Sequence, residues 1–234
     1  MNLKDLNVAI MAYSRAEHFA SVFGACEKEL SRVKVYLDFP STASIREEQK
    51  KIIRVIEDSP LRTEVHRRTE NYGLVRSILT TVEEELKTND HIVLLEDDCV
   101  PQAGFFQFMR NSLTSLKDTP EISTICGTPT RCRFNPWGWA TWSHKWSYEK
   151  LAVQEIMKIE NLDGELKEYL TKHPVDKMIW SLSWLALQYK NNTWSHYPTR
   201  CLIENIGLDN TGVHSHEEGY TQWLYSQIVE DLKE

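Results

Sequence analysis

The stretch HIVLLEDDCVP, residues 91–101, decides how the rest of the chain is read. Four apolar residues, Ile92 to Leu95, run directly into Glu96, Asp97 and Asp98, and the segment closes on Pro101. The apolar run has the length of a buried strand, which places three adjacent carboxylates at its mouth. Adjacent carboxylates repel one another, and burial makes each charge costlier still, so a positive partner is required there. A divalent cation is the first candidate.

Composition bounds what such a strand can belong to. The 234 residues are 41% hydrophobic and 26% charged, which suits one globular domain with a large core, or a nucleotide-binding half fused to a second lobe. The formal net charge of −7 argues against a nucleic-acid partner, because duplex binders need a basic footprint. An anionic substrate would need local help from a metal or a few placed arginines. The start, MNLKDLNVAIMAYSR, carries charge at Lys4 and Asp5 and lacks the apolar core of a signal peptide, so the expectation is a cytoplasmic protein. No apolar run approaches the roughly 20 residues of a membrane-spanning helix. Five cysteines without CxxC spacing suggest neither a zinc site nor a full disulfide framework. They read as reduced, mostly buried thiols, with Cys126 and Cys132 able to pair in an oxidising compartment.

Working outward from residue 91, strands and helices alternate. NVAIMAY (7–13) is a strand-length run, followed by Phe19, Val22, Phe23, Cys26 and Leu30 at helical spacing. RVKVYLDF (32–39) alternates as a strand, and Ser44 with Glu47 forms a capping box for a helix bearing Ile45, Ile52, Ile53 and Ile56. TEVHRR (63–68) reads as a short third strand, and Leu74, Ile78, Leu79, Val82 and Leu86 share one helical face, with Asn71 placed to cap it. This order predicts an α/β fold with a mostly parallel sheet covered by helices on both faces. Ligands of such sheets bind at the carboxyl ends of the strands. The acidic triplet sits at one such end, together with Tyr13 to Arg15, Asp38 and the turn from Asn71 to Gly73.

The second half reads differently. A helix over 105–116 and a short run at 122–127 precede NPWGWATWSHKW (135–146), which holds Trp137, Trp139, Trp142 and Trp146. A further helix is expected from about Pro174 to Leu187, and RCLIENIGLDNTGVHSH (200–216) reads as a strand entering a glycine-bearing loop. No repeat or linker divides the chain, so a single two-lobed unit over 1–234 is expected.

Four segments together resemble the GT-A glycosyltransferases, in particular the family 2-like inverting enzymes. They are the EDD at 96–98, similar to the DxD motif of that family; AYSRAEHF (12–19); ENYGLVRSI (70–78); and WGWATW (137–142) taken with NIGLDNTGVH (205–214). The resemblance implies a GT-A fold with a nucleotide-sugar-binding half (1–101) and an acceptor-binding half (102–234). It also implies a Mn²⁺ or Mg²⁺ cofactor. Because hard cations want oxygen ligands, Asp98 is the expected direct metal ligand. By similarity, Asp97 reaches the ribose or the ion's hydration shell, and Glu96 acts from behind or on the donor sugar. Tyr13, Ser14 and Arg15 would grip the nucleoside, Asp38 would accept a hydrogen bond from the base, and Asn71 and Gly73 would complete that wall; read alone, Arg15 equally suits a salt bridge, Asp38 a helix cap, and Asn71 with Gly73 a turn and an N-cap. His214 would complete the metal site or touch the diphosphate.

An inverting transfer needs a carboxylate within reach of the acceptor hydroxyl. The resemblance points to Asp176 in HPVDKMIWSL, with Glu149 and Asp163 as rivals; Asp176 equally suits the first turn of a helix as a partner of its dipole. Trp137, Gly138 and Trp139 are the expected acceptor platform, since flat rings stack on sugar faces, although Trp139 and Trp142 are also natural core residues. The expected partners are a nucleotide-sugar, by default a UDP-sugar, and a glycan or lipid-linked acceptor, which is compatible with a peripheral position at the inner face of a membrane. Two other classes stand beside this reading. A sugar nucleotidyltransferase would share the α/β half, but no Gly-rich basic phosphate loop follows the first strand. A carbohydrate-binding protein would use the tryptophans alone and leave the acidic triplet without purpose.

Overall fold

The computed structural model describes residues 5–172, 180–207 and 227–228. Its first half follows the predicted alternation: β1 (Val8–Ala12), α1 (Ala16–Glu27), β2 (Arg32–Leu37), α2 (Ala43–Glu57), β3 (Arg62–Arg67), α3 (Gly73–Leu86) and β4 (His91–Glu96). The second half adds β5 (Cys99–Pro101), α4 (Phe105–Ser115), β6 (Ile122–Cys126), β7 (Trp139–Trp142), α5 (Val153–Ile156), α6 (Gly164–Lys172), α7 (Trp180–Lys190), β8 (Trp194–His196) and β9 (Ile203–Asn205).

Seven strands form one sheet in the order β3-β2-β1-β4-β7-β6-β8, in which only β7 runs against its neighbours. The protein is thus an α/β fold with a mostly parallel sheet flanked by helices. Alternate residues of the strands feed two cores, as the period of two requires. Val8, Ile10, Val35 and Leu95 pack with Phe19 and Phe23 of α1, Ile52 of α2 and Met109 of α4. Ala9, Met11, Tyr36 and Leu94 pack on the other face with Ile78 and Val82 of α3 and with Leu185 of α7. Cys26, Cys99, Cys126 and Cys132 are buried free thiols, so Cys126 and Cys132 do not pair.

Several local expectations are corrected. Thr42, not Ser44, caps α2: its backbone is extended and its hydroxyl accepts from Ile45 N at 3.2 Å, while Glu47 pairs with Lys50 instead of closing a capping box. Asn71 does not cap α3, because its side chain donates to the carbonyl of Phe39 at 2.7 Å. The tryptophan-rich stretch, expected as a loop, contains β7, which lies between β4 and β6 in the centre of the sheet. The small antiparallel ribbon of β5 and β9 pairs Cys99 with Asn205 and so draws the chain after residue 202 back to the end of β4.

Candidate functional site

The carboxyl ends of β1, β2 and β4 leave a cavity of about 320 Å³. Met11 and Leu74 give it apolar walls, and its polar lining is Tyr13, Ser14, Arg15, Asp38, Ser77, Glu96 and Asp97, with Asn71 and Gly73 at its edge. Parallel pairing explains the convergence: Met11 lies opposite Glu96 and Ala12 opposite Leu37, so the segments leaving these strands emerge side by side. Eight residues singled out in the sequence therefore line one space, with Asp98 next to it.

The positive partner demanded by the acidic triplet is Arg15. Its Nη2 donates to Asp97 Oδ1 and lies 2.8 Å from Asp98 Oδ2, and its Nη1 is buried with no hydrogen-bond partner among the described residues. The sequence reading sent Arg15 to the nucleoside and left the acids to a metal; the contact spans 82 residues of chain and has no local signal. One guanidinium does not fully compensate three acids. Burial, with the charges of Asp98 and Asp97 added, lifts Glu96 to about 8, and burial lifts Asp97 to about 6 against the pull of Arg15. The Arg15 guanidinium is itself held more firmly protonated than usual: burial opposes its charge, but Asp97 and Asp98 outweigh that.

Among the described residues no group of three or more His, Cys, Asp or Glu side chains converges as a metal cage. Two carboxylates sharing one cation do converge, at Asp97 and Asp98. That donor set fits Mg²⁺ or Mn²⁺, which are commonly held by one or two carboxylates completed by substrate phosphates.

Asp38 serves as a helix cap in this structure and also lines the cavity. Its Oδ1 accepts from Phe39 N at 2.8 Å and Tyr72 N at 2.9 Å, and its Oδ2 accepts from Gly73 N at 2.9 Å, so this buried carboxylate satisfies the first turn of α3 from across the sheet. Gly73 adopts φ +68, where glycine is favoured. Tyr13 OH binds Ser41 Oγ at 2.7 Å and accepts from Asn71 Nδ2 at 3.2 Å, which ties three segments of the rim together.

Sequence reasoning missed Ser77, which lines the cavity, and the close packing of Gly207 on Asp98. Ser77 is 4% exposed and its Oγ is buried without a hydrogen-bond partner among the described residues, which leaves a hydroxyl available to a ligand. Gly207 packs so closely that a Cβ there would lie 2.8 Å from Asp98 Cγ and 2.9 Å from Arg15 Nη1, and Ile206 N donates to Asp98 O at 2.9 Å. The NIG of residues 205–207 was legible as a glycine-bearing loop, but its partner was not.

The acceptor platform is corrected as well. Trp139 is 1% exposed and packs edge-on to Phe134 and against Trp146 and Trp180, so its ring faces protein and offers no sugar-stacking surface. Trp137 is buried too. Gly138 has φ +60, and a Cβ there would lie 2.6 Å from Ile203 Cγ1, so it is a packing glycine under β9 and not part of a platform. Asp176 and His214 lie outside the described residues. Of the rivals, Asp163 Oδ1 accepts from Leu166 N at 3.1 Å in the first turn of α6, and Glu149 lies 3.3 Å from Lys190.

No family model matches the sequence, and no curated protein matches it. Among solved structures the chain is similar to mouse xyloside xylosyltransferase 1 in its apo form, at 9% identity over 83% of this chain and 85% of that one, with a TM-score of 0.46. It is also similar to 4-diphosphocytidyl-2C-methyl-D-erythritol synthase from Anaerococcus prevotii, at 8% identity over 84% and 87% with a TM-score of 0.44. A mycobacterial protein follows at 10% identity over 70% and 63%, with a TM-score of 0.42. None of these likenesses assigns the chain to a family, so the functional reading rests on the site itself.

Proposed function

We propose that the protein is an inverting, metal-dependent glycosyltransferase of GT-A type, which moves a sugar from a nucleotide-diphosphate sugar, first a UDP-sugar, to a hydroxyl of a glycan or lipid-linked acceptor. The observation that carries this reading is the strand-end cavity in which an under-compensated acid cluster meets two buried polar atoms without hydrogen-bond partners among the described residues, Arg15 Nη1 and Ser77 Oγ. Ser77, Tyr13 and the apolar wall of Met11 and Leu74 suit a nucleoside. Arg15 Nη1 suits a diphosphate oxygen. Asp98, with Asp97, would hold Mn²⁺ or Mg²⁺, which supplies Lewis-acid stabilisation of the departing diphosphate when bound. Burial and the charges of Asp98 and Asp97 push the Glu96 carboxyl up, which lessens the charge it adds to the cluster.

Asp176 is the proposed general base, and Asp176→Asn is expected to leave donor binding near normal while transfer falls about 10²–10⁴-fold. Isothermal titration of UDP and UDP-sugars, with Mn²⁺ and then with EDTA, tests the whole reading. Binding that requires Mn²⁺ supports it, and absence of binding by any nucleotide-sugar in Mn²⁺ removes it. Pyrophosphate release from a nucleoside triphosphate would move the protein to the nucleotidyltransferases.

A further inference from the structure

A second cavity, of about 490 Å³, opens between α2 and the carboxyl ends of β2 and β3. Its floor is apolar, formed by Leu37, Ile53 and Phe39, the last being one of the few large hydrophobic side chains left exposed among the described residues. Its rim is basic. Arg46, Lys50 and Arg54 recur at four-residue spacing along one face of α2, and Arg67 and Arg68 answer them from the end of β3. Lys50 pairs with Glu47, and Arg68 holds both carboxylate oxygens of Glu84 at 2.8 Å. The side chains of Arg46, Arg54 and Arg67 make no ion pair or hydrogen bond among the described residues. The acids of the lining are Glu57 on the rim and Asp38, whose oxygens are already held by backbone N–H groups.

Three exposed guanidinium groups without an ion pair among the described residues surround one apolar concavity in a chain of net charge −7, so an anion entering it meets a local excess of positive charge. An extended nucleic acid would need a basic track longer than one cavity, and a neutral sugar would need none of these charges. Guanidinium groups on opposing walls suit an oxyanion with several acceptor oxygens, and the floor suits an apolar body carrying it. No residue of the acidic triplet lines this space.

We infer that this cavity is a binding site for a phosphate ester on an apolar body, separate from the strand-end cavity and touching it only at Asp38. The ester comes either from a small soluble molecule or from an anionic lipid headgroup, and the two sources are separable by experiment. Phenyl phosphate is titrated into the full chain by calorimetry, with phenol as the uncharged control, and vesicles of phosphatidylglycerol are compared with vesicles of phosphatidylcholine by flotation. Arg46→Glu/Arg54→Glu is expected to weaken phenyl phosphate binding about tenfold or more, since two attractive contacts are removed and repulsion is added. Arg67→Glu, on the opposite wall, is expected to act in the same direction, whereas Lys28→Glu/Lys150→Glu is expected to change nothing. Arg15→Gln is expected to retain phenyl phosphate binding, which distinguishes this site from the strand-end cavity. Flotation with phosphatidylglycerol that Arg46→Glu/Arg54→Glu abolishes identifies the lipid source, and phenyl phosphate binding without flotation identifies the soluble one. The inference is overturned if neither probe binds, if the charge-reversed variants bind as wild type does, or if binding is lost in Arg15→Gln.

Discussion

The two ends of the central sheet both bury carboxylates, and they treat them in opposite ways. At the amino end, Glu85 of α3 accepts from Asn7 Nδ2 at 2.8 Å, Lys34 Nζ at 2.7 Å, Asn89 Nδ2 at 3.0 Å and the hydroxyl of Tyr36. Burial opposes its ionisation, yet the hydrogen bonds from Lys34, Tyr36 and Asn7 outweigh that and hold it below the usual carboxylate range. At the carboxyl end, Glu96, Asp97 and Asp98 have Arg15 as their cation, and Glu96 and Asp97 are pushed upward. A fully satisfied buried acid is a structural element, whereas an under-satisfied group of acids beside a cavity is a candidate functional site.

This contrast can be broken by substitution. The largest stability effect is expected at the satisfied end: Glu85→Ala strands Lys34, Tyr36, Asn7 and Asn89 and should cost about 2–4 kcal/mol in urea unfolding. Nucleotide binding by the folded variant should stay unchanged. At the other end, Asp98→Ala should leave urea stability within about 1 kcal/mol while reducing Mn²⁺-linked donor affinity roughly 100-fold, or about 2.7 kcal/mol, by calorimetry. Full donor affinity of that variant in EDTA would remove the metal assignment.

The pH dependence separates the two ends by sign. Glu85 has a depressed folded pKa, so its contribution is present above the unfolded value near 4.5 and is lost as pH falls through the folded value. Glu96 has a raised folded pKa, so its contribution is present below about 4.5 and is lost as pH rises towards about 8. Thermal unfolding of Glu96→Gln between these pH values should show a smaller decline than the wild type, with the part due to Asp97 remaining, and Glu85→Gln should flatten only the acid limb. The smallest expected effect is at Ser77. Ser77→Ala should change stability by no more than about 0.5 kcal/mol and weaken nucleotide binding about two- to tenfold, the worth of one neutral hydrogen bond. Unchanged nucleotide affinity would take Ser77 out of the site.

Much of the first half was legible in the sequence because its signals are local. Val8 to Ala12 and Ile92 to Leu95 are apolar runs of strand length, and Ile78 and Val82 mark a helical face, so the order of elements up to Glu96 follows from spacing alone. The caps were less legible. Thr42 and Ser44 both suit an N-cap, and the backbone of Thr42, extended at φ −137, selects between them. The tryptophans were the least legible, because a ring that stacks on sugar and a ring that fills a core have the same composition and differ only in what packs beside them.

The sequence by itself determined the alternation of strands and helices, the parallel half-sheet and the placing of three acids at a strand mouth, since each depends on side chains a few residues apart. Tertiary structure alone decided what meets those acids. Arg15 reaches Asp97 across 82 residues, Gly207 closes on Asp98 through the ribbon of β5 and β9, and β7 enters between β4 and β6 with its tryptophans inward. Each of these contacts joins segments with no shared periodicity, and its energy appears only when the whole chain has folded.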